Sequence, residues 1–276
     1  MRVERVVDGI HVFVSDLYLR VTSTVFVTEE GAVVIDTLPF PEESRQVISF
    51  VEDELGPGSI HYVVNTHHHA DHVYGNWVFE DAEIISHDIC RELLERFGEQ
   101  RLEEARRRTP ELAEVELRLP GMTFAREMHI KLGKRNLELF HTPGNSSDGV
   151  SIFEEEDQVL IAGDAIMPVP YIVNGDIDQL RATLLHFREM EIDFIVQGHG
   201  HVLLRGEAQQ AINSSLSYLD SIVEKVEQLV EEGESPERLA EIDIESCGKS
   251  RIPLDGMVSD LHQRNLRAVY ERASAE

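Results

Sequence analysis

The chain has 276 residues, of which 42% are hydrophobic, and this is enough for one sizeable α/β domain. Its 52 acidic and 25 basic residues give a formal charge of -27, which argues against a nucleic-acid partner because phosphates are bound through Lys and Arg. Two cysteines are too few for a disulfide framework or a cysteine metal cage. No apolar segment approaches the ~20 residues that span a bilayer, so we expect no membrane partner and a cytoplasmic location.

The first part of the chain predicts a β-rich unit. Short apolar runs at residues 10–14, 21–27 and 32–35 are separated by polar or glycine-containing turns, which favours antiparallel strands. Apolar residues at helical spacing predict a helix over 42–55. A further short strand over 61–65 then leads into a run of histidines.

That run, His67-His68-His69-Ala70-Asp71-His72, puts four imidazoles and a carboxylate at the end of a strand, where enzymes commonly place their chemistry. Imidazole and carboxylate are preferred ligands of zinc and related ions. His67 and His69 alternate, so both can point to one side and hold one ion. Asp71 and His72 could hold a second ion roughly 3.5 to 4 Å away, as in two-metal hydrolases. An exposed polar loop or a tag-like segment is the alternative, but tags lie at termini and lack the aspartate.

Residues 88–108 are rich in charge and carry apolar side chains at helical intervals, and Thr109-Pro110 interrupts them. We therefore predict a helical insertion over about 88–120. It could cover the site as a lid, or it could be a solvated helix pair that covers a sheet edge.

A comparable series of elements recurs in the second half. Its predicted strands and helix are, in chain order, strands 137–140, 150–153 and 159–162, helix 176–190 and strand 194–196. In the first half, strands end at Asp36 and at the histidines; in the second, they end at Asp164 and at His199. The similar order suggests a duplicated unit. We expect two sheets packed face to face, with helices outside and these strand ends at one edge.

The tail from about 206 to 276 is predicted to be helical, with helices to about 230, over 236–242 and over 257–271. No low-complexity linker precedes it, so the whole chain, 1–276, is expected to be one domain. Lys249 and Arg251 form a small basic spot in an acidic chain, which could receive an anionic substrate group or be a solvated connector.

These motifs resemble those of the metallo-β-lactamase-fold superfamily, over roughly residues 10 to 201, and in particular its glyoxalase II and lactonase-like hydrolases. The matching motifs are His67-x-His69-x-Asp71-His72, Thr142-Pro143-Gly144, Gly163-Asp164 and Gly198-His199-Gly200. The resemblance implies an αββα sandwich of two mixed β-sheets flanked by helices, with a metal site at the edge where the sheets meet.

The same resemblance implies the ligand set. His67 and His69 correspond to ligands of a first metal, and Asp164 corresponds to the bridging carboxylate. The implied ligands of a second metal are Asp71, His72 and His199.

One position departs from the family pattern. The family's turn usually reads Thr-Pro-Gly-His and its histidine is the third ligand of the first metal, whereas this chain has Asn145. A carboxamide oxygen is a weaker donor than imidazole, so the first site should bind zinc less tightly or prefer a harder ion. Asn145 is either a ligand or only a turn residue. His141 could substitute for the missing imidazole, or it could support the turn.

A divalent ion lowers the pKa of bound water toward ~7, so the expected nucleophile is a metal-activated hydroxide that Asp71 orients as the catalytic residue. We expect a hydrolase that cleaves an ester, thioester or lactone bond of a small molecule. The expected cofactor is zinc, as one ion or two, with manganese or iron as other possibilities. The alternatives are an iron sulfur-oxygenase of the same fold, which relies on the histidine that Asn145 replaces, and a non-catalytic metal-binding module. A homodimer stays open.

Overall fold

The computed structural model describes residues 1–274, and within them the strands form two separate sheets. The first sheet runs in chain order through seven strands, which are β1 (Arg2–Val7), β2 (Ile10–Val14), β3 (Thr22–Thr28), β4 (Gly31–Ile35), β5 (Ile60–Val64), β6 (Glu83–His87) and β7 (Met122–Phe124). The second has the spatial order β12-β11-β10-β9-β8, with the strands β8 (Glu127–Leu132), β9 (Arg135–His141), β10 (Val150–Glu154), β11 (Val159–Gly163) and β12 (Phe194–Gln197).

Helices cover the outer faces of both sheets. Those of residues 1–274 are α1 (Pro41–Leu55), α2 (Ala70–Val73), α3 (Asp88–Arg106), α4 (Ile177–Glu189), α5 (Arg205–Glu231) and α6 (Val258–Ala273). None of them is both long enough and apolar enough to cross a bilayer.

The two sheets repeat one order of strand directions. In the first, β2, β3 and β4 are antiparallel neighbours, and the crossover through α1 makes β5 parallel to β4. In the second, β9, β10 and β11 are antiparallel, and the crossover through α4 makes β12 parallel to β11. Each crossover therefore brings the carboxyl ends of two neighbouring strands to the same edge.

The core consists of apolar layers that follow from strand alternation. Along β4, Val33 and Ile35 face the second sheet and pack with its Leu139 and Ile161, whereas Val34 faces outward and packs with α1. A further apolar layer joins the second sheet to α4, α5 and α6. The αββα sandwich of two mixed sheets predicted from the sequence is confirmed.

Two predicted helical regions are less regular than expected. The insertion is helical only to Arg106, and Pro110–Leu112 forms a single 3-10 turn before irregular chain that leads to β7. In the tail, Pro236–Glu241 is a 3-10 helix rather than an α-helix. A proline begins each of these two short segments. Proline fits the first turn of a helix because the amide hydrogen that it lacks would have no partner there. That residues 1–276 form a single domain stays a prediction.

Candidate metal centre

Four loops that follow the parallel strand pairs meet at one edge of the sandwich. They carry Asp36 after β4, residues 67–72 after β5, Asp164 after β11 and His199 after β12. Open α/β sheets bind their ligands beyond the carboxyl ends of the strands, because the loops converge there. The strand ends that the sequence pointed to therefore come together.

Donor atoms converge in two overlapping clusters. His67, His72 and Asp164 offer ligand atoms that all lie within 4.8 Å of one another, and so do Asp71, His72 and His199. His67 Nε2 lies 3.5 Å from Asp164 Oδ2, while His72 Nε2 and His199 Nε2 lie 3.4 and 3.6 Å from Asp164 Oδ1. Asp71 Oδ2 lies 3.2 Å from His199 Nε2. Asp164 thus presents one oxygen to each side of the site, as a bridging carboxylate would.

His69 lies beside the first cluster rather than inside either one. Its Nδ1 is 2.8 Å from His67 Nε2. Burial lowers the pKa of His69 to about 3, with the neighbouring His67 and His68 acting in the same direction. The ring is therefore neutral at physiological pH, and neutral imidazole is the form that binds a metal. Its role as a ligand of a first metal stays a prediction.

Asn145 also lies at the centre. It lines a small cavity together with His67 and Asp164. Its Nδ2 donates a hydrogen bond to the backbone oxygen of Tyr171 at 3.0 Å, which fixes the amide, and its buried Oδ1 has no partner among residues 1–274. A metal ligand at this position needs an oriented oxygen without another partner, and Asn145 Oδ1 meets that requirement. A role in the turn alone would need only the backbone of Asn145.

His141 does not take the place of the missing imidazole. Its Nε2 lies 2.9 Å from the backbone oxygen of Ser147, and its ring stacks on His87 at a centroid distance of 4.1 Å. It therefore supports the loop after β9, which is one of the two interpretations that the sequence left open.

The rings of three histidines are oriented by partners at Nδ1. His72 Nδ1 lies 2.7 Å from Asp36 Oδ2, His199 Nδ1 lies 3.0 Å from the backbone oxygen of Leu19, and His67 Nδ1 lies 3.0 Å from Thr66 Oγ1. Each partner can accept the Nδ1 hydrogen, so in each ring Nε2 is the nitrogen that faces the centre. Metal-binding histidines are held in this way.

Asp36 organises this arrangement, and sequence reasoning gave it no role. It adopts a left-handed backbone conformation, φ 59°, directly after β4. Its carboxylate accepts hydrogen bonds from the Thr66 backbone nitrogen at 2.8 Å and from Thr66 Oγ1 at 2.7 Å, in addition to holding His72. The available signal was an acidic residue at a strand end opposite the histidine run.

The residues present fit a divalent cation. His72 Nε2 and Asp164 Oδ1 are buried and lack a hydrogen-bond partner within residues 1–274, and such orphaned atoms are rare unless a ligand satisfies them. Burial acts to lower the pKa of His72, but the carboxylates of Asp36, Asp164 and Asp71 outweigh it and raise the pKa well above its ordinary value. Asp164 and Asp71 likewise outweigh burial at His199 and raise its pKa. The carboxylates thus attract positive charge to the centre, which a cation would supply.

A cavity of 280 Å³ opens next to these ligands. Asp71 and His69 form part of its wall, and α3 contributes Leu94 and Arg101. The insertion therefore lines the candidate site, as the lid interpretation requires. The chain between β11 and α4 also contributes to this cavity through Tyr171 and Asn174. Other side chains of the same segment, those of Met167, Val169 and Ile172, are buried in the core.

Tyr18 is a second residue that the sequence did not single out. Burial raises its pKa to about 12, and the nearby charges of Asp71 and Asp164 act in the same direction. Tyr18 is nonetheless 40% exposed, and its ring lies edge-on to Phe40, at a centroid distance of 6.4 Å. It lies in the irregular segment between β2 and β3, which carries no motif.

The basic spot of the tail does not form as one unit. Arg251 is exposed and pairs with Asp243 and Glu245, as a solvated connector would. Lys249 is buried and lines a different cavity from the one that Asp71 lines.

Comparisons with known proteins identify the family. Residues 18–199 match the family model of the metallo-beta-lactamase superfamily. A curated relative, the beta-lactamase-like protein 2 homolog of Caenorhabditis elegans, is 25% identical over 179 residues, which are 65% of this chain and 50% of that protein. The chain thus spans half the length of the curated relative that it matches.

Solved structures share the fold at 17% identity. A metallo-beta-lactamase from Pontibacter korlensis gives a TM-score of 0.65 over 79% of this chain and 98% of its own. A metallo-beta-lactamase family protein from Thermus thermophilus gives 0.70 over 95% and 94%. The inverting sec-alkylsulfatase Pisa1 from Pseudomonas sp. gives 0.73 over 98% of this chain and 50% of its own. With a family model that covers most of the sandwich and the site, the chain belongs to the metallo-beta-lactamase superfamily.

Proposed function

We propose that the protein is a metal-dependent hydrolase that cleaves an acyl bond, in an ester, a thioester or a lactone, of a small molecule. One observation carries the proposal. Three histidines, each held through Nδ1, turn Nε2 toward Asp164, next to an open cavity. A structural metal site is closed, whereas a catalytic one keeps a side open to substrate.

The ligand set we propose for one or two zinc ions, with manganese or iron as other possibilities, comprises His67, His69, Asp71, His72, Asp164, His199 and Asn145. When bound, such an ion supplies the Lewis-acid chemistry that makes water nucleophilic at neutral pH. Asp71 lines the cavity and can accept a hydrogen bond from the attacking water, which orients it.

The cavity next to the ligands suits a small substrate. Its 280 Å³ lies near the lower end of the ~300–1,000 Å³ that is usual for small-molecule sites. Leu93, Leu94 and Tyr171 offer apolar surface, and Asn174 and Arg101 offer hydrogen-bond donors. The acidity of the whole chain supports a small molecule over a nucleic acid as substrate.

Metal analysis combined with a substrate panel tests the proposal. The protein should lose hydrolysis of aryl esters, thioesters or lactones when it is treated with chelator, and should regain it when zinc, manganese or iron is restored. Asp71→Asn keeps the side-chain shape and serves as the matched variant, which should bind metal more weakly and hydrolyse more slowly. The proposal would be contradicted if complete removal of metal left hydrolysis unaffected. It would also be contradicted if the protein bound one iron ion, consumed oxygen and hydrolysed no substrate of the panel.

Replacing Asn145 with histidine should strengthen metal binding by about tenfold, on the order of 1.4 kcal/mol, because imidazole is the better donor. Asn145 Oδ1 has no hydrogen-bond partner within residues 1–274, and Asn145 lines the same small cavity as His67 and Asp164. Competition against a chromophoric chelator measures the affinity. Asn145→Ala is the control, and it should weaken binding if Oδ1 is a donor. Equal affinity in all three proteins would mean that residue 145 is not a ligand position.

A further inference from the structure

A second cavity lies in the tail, apart from the candidate metal centre. Its volume is 740 Å³, and it is bounded by the beginning of α5, by the loop after β12 and by residues 248–255. It shares no lining residue with the cavity that Asp71 lines, and none of the proposed metal ligands reaches it. Its volume falls within the ~300–1,000 Å³ that is usual for small-molecule sites.

Lys249 forms part of the wall of this cavity, and its contacts within residues 1–274 do not explain why a lysine is buried there. The residue is 9% exposed, and its Nζ donates to Ser215 Oγ at 3.2 Å. No carboxylate of residues 1–274 lies within ion-pair distance of it. Burial accordingly lowers the pKa of Lys249 to about 8, and no charge of the described residues acts against it. Lysine is rarely buried unless it is paired, because an isolated ammonium is poorly solvated by protein.

The acidic residues around the cavity are already engaged. Glu207 accepts a hydrogen bond from the Leu204 backbone nitrogen at 2.9 Å and thereby caps α5. Asp255 pairs with Arg20 at 3.2 Å. Within the described chain, the cation of this wall that lacks a counter-charge is therefore Lys249.

We infer that this cavity binds a small monocarboxylate with an apolar body, whose carboxylate accepts hydrogen bonds from Lys249. The body would contact the apolar part of the wall, to which Met167, Leu203, Ala211 and Leu254 contribute. A single carboxylate fits better than a phosphate dianion, because one unmatched positive charge is present in a chain whose formal charge is -27. A hydrogen bond from the Lys249 ammonium to a carboxylate joins two charged groups. It is therefore stronger than the hydrogen bond that Lys249 donates to the neutral hydroxyl of Ser215.

Calorimetric titration with octanoate tests the inference on the full chain at pH 7. The protein is first freed of metal, so that octanoate has no metal ion to bind and the result does not depend on hydrolysis. Wild type should bind octanoate saturably at one site, and Lys249→Met should bind it at least tenfold more weakly. 1-Octanol, which has the same chain and no charge, should bind both proteins within twofold of each other. Lys131→Met removes the same charge from an exposed position of β8 and should bind octanoate like wild type.

Methyl NMR of the wild type decides the location even if Lys249→Met does not fold. Octanoate should shift the methyl signals of Met167 and Leu203, which line the cavity. Shifts confined to Leu93 and Leu94, which line the other cavity, would overturn the inference. So would the lack of saturable octanoate binding by wild type, or equal affinity in wild type and Lys249→Met.

Discussion

Replacing Asp164 with asparagine should reduce metal-dependent hydrolysis by more than about 100-fold. Residues that only support a ligand change metal affinity or activity by ~10–100-fold, and Asp164 should exceed that range. Its Oδ2 faces His67 Nε2 at 3.5 Å, and its Oδ1 faces both His72 and His199. The amide keeps the shape of the side chain but loses the negative charge and one acceptor oxygen. The first cluster would therefore lose its carboxylate, and His72 and His199 would lose the charged oxygen that faces them both.

Zinc-dependent stability gives a readout of Asp164→Asn that does not need a substrate. A ligand that binds only the folded state at a thousandfold above its Kd stabilises that state by about 4 kcal/mol. Wild type should show a rise in melting temperature with zinc, and Asp164→Asn should show little or none. Asp176→Asn is the matched control, because Asp176 caps α4 through Gln179 and asparagine caps a helix equally well. A zinc-induced rise in Asp164→Asn as large as in wild type would remove Asp164 from the ligand set.

Among residues 1–274, most central strands were predictable from the sequence, whereas of the four edge strands only β12 was predicted. β4 and β11 are buried on both faces and read as short apolar runs, which the sequence analysis placed to within about one residue. The missed strands β1, β7 and β8 all lie at sheet edges. β1 and β8 interleave charged with apolar residues because an edge strand faces solvent, and β7 has three residues.

One central strand was also missed. β6 contributes only Ile84 and Ile85 as large apolar residues before α3 begins at Asp88. Two residues are too few for periodicity to separate a strand from the start of a helix.

The candidate site was predictable where its residues are adjacent in sequence. His67 to His72 form a local cluster, so residue types and spacing alone pointed to a metal. Asp164 and His199 could be connected to that cluster only through the repeated strand order and the family resemblance, and the structure brings both to it. Their roles as ligands stay predictions until a metal is measured.

The residues that orient the site were not predictable because they depend on tertiary contacts. Asp36 acts on His72 across the parallel pair β4 and β5, through a left-handed turn that no motif marks. Leu19 acts on His199 through a backbone oxygen, so its side-chain type carries no signal.

Gly198→Ala should weaken metal binding without changing any candidate ligand. A Cβ at this position would lie 2.0 Å from Asp164 Oδ1, 2.8 Å from the Gly163 carbonyl carbon and 2.9 Å from the Asp164 backbone nitrogen. The two backbone atoms cannot move freely, because the Gly198 amide donates to the Gly163 oxygen at 2.8 Å. The carboxylate of Asp164 must therefore turn away from His72 and His199. We expect a loss of metal affinity of at least tenfold.

Stability measurements separate this effect of Gly198→Ala from general damage. Added atoms in a packed interior cost about 1–3 kcal/mol, so the metal-free variant should unfold at lower urea concentration than wild type. Zinc should stabilise Gly198→Ala less than it stabilises wild type, because the strain falls on Asp164. Gly206→Ala is the control: Gly206 lies in the first turn of α5, and a Cβ there would meet no atom of residues 1–274 within 4 Å. That control should therefore bind zinc like wild type. It should also be no less stable than wild type, since alanine favours a helix over glycine by about 1 kcal/mol. Zinc affinity of Gly198→Ala equal to that of wild type would show that the close approach of the two loops does not position Asp164.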